Sequence, residues 1–167
     1  MRKLCLLLCL LLALSGCSKP AETEITGPSC TVSISCTTIL ENMEKLDPEK
    51  TELVPEDGCL LPETKVALQE GDSVFDLLLR VCLEHNLHME YVDTPLYDSA
   101  YIEGIGNLYE FDCGNESGWM YSVNGMFPNY GCSQHKPQNG DVICWVYTCD
   151  LGRDVGDSDW AEENSHS

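Results

Sequence analysis

The chain has 167 residues, with 28 acidic against nine Lys and Arg residues and a formal net charge of −19 at pH 7. Binding to nucleic acid or to anionic lipid headgroups depends on Lys and Arg, so this charge argues against both as partners. A chain of this length suits one domain with a buried core and short tails.

The first residues have the form of an export signal. Two basic residues precede an apolar run at 4–14, which is too short to span a bilayer and has the length of a signal-peptide core. The run ends in LSGC at 14–17, which resembles a bacterial lipobox. We therefore expect a lipoprotein signal peptide at 1–16, a lipid anchor on Cys17 and a location on the extracytoplasmic face of the bacterial cell membrane. Ordinary secretion without the anchor is the alternative.

The N-terminal half of the mature chain is predicted to contain a tether and two strands. Residues 17–29 are small, polar and proline-containing, as in a flexible tether. The domain is predicted over 30–152. Apolar residues alternate with Thr and Ser over 31–39, which indicates a half-buried strand, and a second strand is expected from Cys59. The charged segment 41–58 is predicted as a loop with one helical turn at 40–46.

A helix is the clearest element that follows. Ser73 and Asp76 have capping-box spacing, and apolar residues recur at helical spacing through Leu87. The apolar stripe extends to Leu83, which predicts a helix clasped by sheet on much of its circumference.

Several strands, separated by turns rich in Gly and Asn, are predicted after the helix, at 87–92, 99–111, 117–132 and 141–152. This order predicts an α+β fold, with a single helix packed against a curved, mostly antiparallel sheet of β-grasp type. Beyond Gly152 the sequence loses periodicity, and 153–167 is predicted to be an acidic disordered tail.

Eight cysteines lie beyond the signal and the lipobox, and an even number in an exported chain favours disulfide bonds. Their pairing is open from sequence. If the first and last strands are neighbours, Cys36 with Cys149 is the first hypothesis, and Cys113 with Cys132 would close the aromatic hairpin.

Neither a metal site nor a catalytic site is predicted. Cys132 with His135, and His85 with His88, offer only two ligands each, and the two His residues stand where a helix end is expected. Nucleophile and nucleotide-loop motifs are missing from the sequence, so we expect no enzyme and no required cofactor. A small hydrolase remains a third hypothesis, because the many carboxylates include pairs that could act as acid and base.

The segment from Ser117 to Gly152, SGWMYSVNGMFPNYGCSQHKPQNGDVICWVYTCDLG, resembles the transcobalamin-like C-terminal domain family. The helix entry EGDSVFDLLLRVC at 70–82 and the closing NGDVICWVYT at 139–148 agree with the same family. The resemblance covers about 31–152 and implies a helix clasped by antiparallel sheet.

The resemblance also implies a ligand-binding cap for a corrinoid such as cobalamin. An aromatic hairpin and the loop after it meet the corrinoid in animal carriers, and the matching positions here are Trp119, Met120, Pro128, Asn129 and Tyr130. The remaining hairpin residues Tyr121 and Val123, with Trp145, are expected in the core. The carriers hold their ligand against a large helical barrel, which this chain is too short to contain.

Two further hypotheses, both based on the aromatic hairpin, therefore stand alongside the hydrolase hypothesis. The first is a surface lipoprotein that binds a corrinoid or a similar soluble ligand, alone or with a partner. The second is a protein-interaction or adhesion module, in which the same apolar face meets another envelope protein and takes no small ligand.

The lipobox makes one direct prediction. Cys17→Ser is expected to abolish incorporation of labelled palmitate into the protein in a bacterial host, because the acceptor thiol is lost. Cys9→Ser, which changes a cysteine inside the apolar run, is the matched control and should label normally. Labelling that survives in Cys17→Ser would show that the anchor is elsewhere.

Overall fold

The computed structural model describes residues 25–96 and 98–157 of the chain. The predicted signal peptide, Cys17 and the end of the acidic tail at 158–167 lie outside the described residues. None of the helices in the described ranges is long and apolar enough to cross a bilayer.

The described residues form two sheets and two α-helices. The strands are β1 (Ser29–Ser35), β2 (Cys59–Ala67), β3 (Met89–Thr94), β4 (Ser99–Ile105), β5 (Leu108–Tyr109), β6 (Gly118–Val123) and β7 (Val142–Thr148). The α-helices are α1 (Thr37–Leu40) and α2 (Val74–Glu84), and 3-10 turns occupy Pro48–Leu53 and Arg153–Val155.

The larger sheet has the strand order β2-β1-β7-β6, and the smaller sheet has the order β3-β4-β5. The β1–β7 pair is parallel, whereas the other pairs of both sheets are antiparallel. The predicted α+β class is confirmed, and the proposed neighbourhood of the first and last strands is present. The single sheet of the prediction is divided into two, with the break between β5 and β6.

The helix α2 begins as its sequence predicts. The Ser73 N–H donates to Asp76 Oδ2 at 2.8 Å, and the Asp76 N–H donates to Ser73 Oγ at 3.2 Å, which completes a capping box. The helix ends at Glu84, three residues before the predicted end, because Asn86 takes a left-handed conformation with φ 54°. Leu83 does not join the core, since it is 72% exposed.

Two clusters of buried side chains form the core. The first joins α2 to both sheets through residues such as Val32, Leu77 and Ile105, and it includes Tyr121, Val123 and Trp145, as predicted. The second lies beside α1 and the end of β7, and its centre is the fully buried Tyr147. The Tyr147 hydroxyl donates to the Tyr109 carbonyl at 2.7 Å and lies 2.9 Å from Ser117 Oγ.

Other predicted boundaries also differ from the structure. The strand expected over 31–39 ends at Ser35 and is followed by α1, because the Thr37 N–H donates to Ser35 Oγ at 3.3 Å and not to a neighbouring strand. Residues 153–157, which were expected in the disordered tail, are folded, since Asp154 accepts from the Cys149 N–H at 2.7 Å and the 3-10 turn that contains it packs on β7. The folded part of the chain therefore reaches at least Asp157.

The hydrogen bonds of the capping box predict how stability depends on pH. Burial favours the neutral acid at Asp76, but the hydrogen bonds from Ser73 outweigh it, and the pKa of Asp76 is lowered. A carboxyl group whose pKa is lower in the folded state stabilises the fold at pH values above its unfolded-state pKa of about 3.9. This contribution is lost as the pH falls through the folded-state pKa. Asp76→Asn should cost about 1 kcal/mol of unfolding free energy at pH 7, and less as the pH falls below about 4.

Urea unfolding of both proteins between pH 7 and pH 3 measures this difference. Glu52→Gln, on the exposed side of the 3-10 turn Pro48–Leu53, is the control and should lie within a few tenths of a kcal/mol of the parent at pH 7. A cost at Asp76 that stays constant down to pH 3 would contradict the assignment.

Candidate functional site

A groove of about 610 Å³ lies beside the loop that joins β6 to β7. We call it the hairpin groove. Its walls carry the apolar side chains of Met126, Phe127 and Pro128 and the ring of Tyr130. Its polar lining consists of Asn124, Asn129, His135, Lys136, Gln138 and Asp141. Ligand sites commonly have this volume and this mixture of apolar walls with few polar groups.

An Asn-Gly turn forms one end of the groove. Asn124 and Gly125 have φ values of 52° and 80°, which is the pattern of a type I′ hairpin turn. Val123 and Met126 exchange backbone hydrogen bonds of 2.9 and 3.0 Å across this turn. The turn leaves Met126 70% exposed, so its thioether is available at the rim of the groove.

The Asn124 side chain holds the two ends of the loop together. Its amide nitrogen donates to Asp141 Oδ1 at 2.9 Å, and its carbonyl oxygen accepts from the Val142 N–H at 2.9 Å. The other Asp141 oxygen accepts from the Gln138 N–H at 2.7 Å. The groove is therefore fixed at its base by one side-chain network between the end of β6 and the start of β7.

The middle of the loop is fixed by the N-terminus of α2. The Val74 N–H donates to the His135 carbonyl at 3.0 Å, and the Phe75 N–H donates to the Cys132 carbonyl at 3.2 Å. The first N–H groups of a helix have no partner inside the helix, so these bonds satisfy α2 and position the loop together. Lys136 Nζ adds a bond to the Gly71 carbonyl at 2.9 Å.

Stacked rings form the wall of the groove that faces the core. The rings of Tyr130 and His135 lie 5.5 Å apart at 15°, and the Tyr130 hydroxyl lies 2.9 Å from His135 Nδ1. Tyr121 contacts the His135 ring edge-on, and its hydroxyl donates to the Tyr130 carbonyl at 2.9 Å. Burial raises the pKa of Tyr121, so this hydroxyl stays protonated and keeps Tyr130 in place.

The structure separates the five predicted ligand residues. Pro128, Asn129 and Tyr130 line the hairpin groove, whereas Trp119 and Met120 line a different cavity of about 230 Å³. We call this second cavity the β6 crevice. Tyr101, Glu110, Phe111, Glu116 and Leu151 also line it.

Packing accounts for the positions of Trp119 and Met120. Successive residues of a strand point to opposite faces, so Trp119 shares its face with Tyr121. Its indole N–H donates to the Leu108 carbonyl at 2.8 Å, and its ring meets Tyr147 edge-on at 5.3 Å. Met120 points the other way, where its sulfur lies 3.1 Å from the position that a Cβ on Gly152 would take. Trp119 thus bridges the two core clusters, and Met120 covers the C-terminal turn.

Several groove residues were not predicted. His135 was considered only as a metal ligand and Met126 only as one residue of the aromatic hairpin, whereas Lys136 and Asp141 were given no role. The Asn124-Gly125 pair carried the signal, because a type I′ turn reverses the chain at once and places Met126 on the returning segment. Within the described ranges, no three His, Cys, Asp or Glu side chains come together as metal ligands would.

The comparisons with known proteins concern the same part of the chain. A family model described as “Domain of unknown function (DUF4430)” matches residues 71–149. The chain is similar to this family from the entry of α2 to the end of β7. This stretch contains the whole loop of the hairpin groove, together with β6 and β7.

A solved structure is also similar to the chain. It is a crystal structure of a candidate metal binding protein from Ruminococcus gnavus ATCC 29149, with 14% sequence identity and a TM-score of 0.42. The alignment covers 72% of this chain and 96% of that chain. None of the curated proteins gives a significant match.

The side-chain network at the base of the groove makes a prediction about its stability. Asn124→Ala removes both hydrogen bonds to the start of β7 and places a poorer residue at a positive φ. We expect a loss of about 1–2 kcal/mol in unfolding free energy. We also expect faster proteolytic cleavage within 127–138, because the side-chain link between the two ends of the loop is lost.

Asn129→Ala is the matched control, since Asn129 is an exposed asparagine of the same loop. It should leave the unfolding free energy within about 0.5 kcal/mol of the parent. Equal losses in both variants, measured by urea unfolding, would show that Asn124 has no special part in holding the groove.

Proposed function

We propose that this chain is a ligand-binding module of the bacterial cell surface, and that the hairpin groove is its binding site. The observation that carries the proposal is the attachment of the groove loop at two places, in its middle to the N-terminus of α2 and at its ends through Asn124. A site that is fixed before the ligand arrives loses less conformational freedom on binding. The lipid anchor on Cys17 and the export of the chain belong to the proposal and rest on the sequence alone.

The ligand that we propose is a corrinoid such as cobalamin, or a soluble molecule of similar character. The resemblance of 31–152 to the transcobalamin-like family suggests this class. The chemistry of the groove is compatible with it, because exposed Met126 and the Tyr130 ring offer apolar contact beside amide and charged side chains. A corrinoid is larger than the groove, so the groove would take one edge of the macrocycle and leave the other face to solvent or to a partner.

Titration of the chain from Ser18 onward with cobalamin tests the proposal. Calorimetry and the visible absorbance of cobalamin report binding, and both avoid the overlap between cobalamin absorption and Trp fluorescence. We expect saturable binding that weakens roughly tenfold or more in Tyr130→Ala, since an exposed aromatic ring that becomes buried on binding contributes about 1.4 kcal/mol or more, which is a tenfold change in Kd.

Phe111→Ala is the matched control for Tyr130→Ala. Phe111 is an exposed aromatic residue of similar size that lines the β6 crevice. Unchanged affinity in Phe111→Ala together with weakened binding in Tyr130→Ala would place the ligand in the hairpin groove. The reverse result would place it in the crevice, beside Trp119 and Met120. Absence of heat and of any spectral change up to the solubility limit of cobalamin would contradict the proposal that the ligand is a corrinoid.

The interaction module is the second candidate function, and the exposure of Met126 at the groove rim favours it. Apolar side chains that protrude from a fixed loop are common at the centre of protein interfaces. In that case the chain should bind a purified envelope protein without cobalamin, and Met126→Ser should weaken this complex. A complex that forms only when cobalamin is present would instead favour a shared ligand site.

A further inference from the structure

Two buried cysteines of the second core cluster, Cys113 and Cys149, lie after β5 and after β7. Cys113 lies in the turn after β5, where its N–H donates to Ser117 Oγ at 3.1 Å. Cys149 follows β7 directly, and its N–H donates to Asp154 Oδ2 at 2.7 Å. Both side chains are buried.

The two thiols converge on one turn of the chain. Cys113 Sγ lies 3.5 Å from the Asn42 carbonyl oxygen, and Cys149 Sγ lies 3.8 Å from Thr38 Oγ1. Asn42 Nδ2 donates to the Thr38 carbonyl at 2.9 Å, so the two residues that the thiols contact are themselves hydrogen-bonded to each other. The thiols of Cys113 and Cys149 are also hydrogen-bond partners of each other.

The other cysteines have different surroundings. Cys132 belongs to the first core cluster, where its sulfur lies 3.5 Å from the Ala100 carbonyl oxygen, so the predicted pair of Cys113 with Cys132 is wrong in this fold. Cys36 shares the second cluster with Cys149, but the strand register places Cys59 opposite Ser35, next to Cys36. Cys59 thus neighbours Cys36, whereas Cys149 is in hydrogen-bond contact with Cys113, so this arrangement does not favour the predicted pair of Cys36 with Cys149.

We propose that Cys113 and Cys149 form a disulfide bond in the exported protein. The oxidant is a disulfide, either of a thiol oxidase outside the cytoplasm or of a small molecule. One cysteine thiolate attacks the oxidant and forms a mixed disulfide, and the second thiolate then displaces the remaining sulfur. The two cysteines lose two electrons and two protons, and the oxidant is reduced to two thiols.

The reduced thiols are poor nucleophiles once the chain has folded. Burial is the largest cause that raises the pKa of Cys149, to about 12, and burial also raises the pKa of Cys113. The thiolate is the reactive form, so its small population and its burial both slow exchange in the folded state. The bond therefore forms while the chain is folding, before the second cluster closes over the two sulfurs.

Peptide mapping of the mature protein from its native bacterial envelope tests the pairing. The sample is denatured with an alkylating reagent present, digested without reduction and analysed by mass spectrometry. We expect peptides that contain Cys113 and Cys149 to be joined by a disulfide. Free thiols at both positions, or a bond from either residue to Cys36 or Cys132, would overturn the proposal.

Thermal unfolding gives a second measurement that does not depend on mapping. Reduction should lower the Tm of the parent, because the cross-link restrains the unfolded chain between these positions. In the double variant Cys113→Ala/Cys149→Ala, reduction should lower the Tm by roughly 10 °C less than it does in the parent. Cys82→Ala, which removes a buried cysteine of the first cluster, should keep the decrease seen in the parent. Equal decreases in parent and double variant would contradict the bond.

The timing of oxidation can be measured on the same protein. Chain 18–167, reduced and unfolded, should acquire the bond when it refolds in a buffer of reduced and oxidised glutathione. The folded, reduced protein should acquire it at least tenfold more slowly in the same buffer. Equal rates would show that the two thiols are accessible in the fold and would contradict their burial in the second cluster.

Discussion

The N-terminus of α2 is the constraint on which the rest of this domain depends. A helix leaves its first N–H groups without partners, and burial of such groups without a hydrogen bond is costly. Here Ser73 and Asp76 satisfy part of this requirement from the local sequence, whereas Val74 and Phe75 donate to carbonyls of the distant loop between β6 and β7. The helix therefore cannot be completed without the loop that forms the hairpin groove. Fold stability and site geometry depend on the same four hydrogen bonds.

The local elements were predicted well because their signals are local. The capping box located the start of α2, and alternation of apolar residues placed Tyr121, Val123 and Trp145 in the core. Boundaries were less accurate where side chains compete with the regular backbone pattern. The hydroxyl of Ser35 accepts from the Thr37 N–H and ends β1 four residues before its apolar pattern ends. That competition is invisible in hydrophobic periodicity, since Thr and Ser fit the polar face of a strand equally well.

The candidate site could be predicted only in part, because residues close in sequence point to different places. Trp119 and Tyr130 belong to one aromatic stretch, yet the tight turn at Asn124-Gly125 separates them into two cavities. For the cysteines, residues that are far apart in sequence lie close together in the fold. Cys113 and Cys149 are far apart in sequence and meet only because β6 and β7 pair with Gly118 opposite Thr148. A one-dimensional pattern contains no register between strands, so neither result was available from it.

The β6 crevice has a physical feature that links it to the proposed disulfide. In the described part of the chain, the non-glycine residues with positive φ are Asn or Asp, except Phe111 at 68° and Leu151 at 50°. A bulky residue in this conformation costs on the order of 1–3 kcal/mol, so the surrounding structure must hold it there. The Phe111 N–H donates to the Ser117 carbonyl at 3.1 Å, and the Leu151 N–H donates to the Glu116 carbonyl at 3.0 Å.

Both strained residues line the crevice, and each lies two positions from a cysteine of the proposed pair. A bond between Cys113 and Cys149 would join the two short segments whose backbones carry this strain. In the reduced chain the same conformations depend on single backbone hydrogen bonds to 116–117, beside the exposed ion pair of Arg153 with Glu116. The oxidised form is thus expected to keep Phe111 and Leu151 in place, and the shape of the crevice should follow the redox state of these two sulfurs.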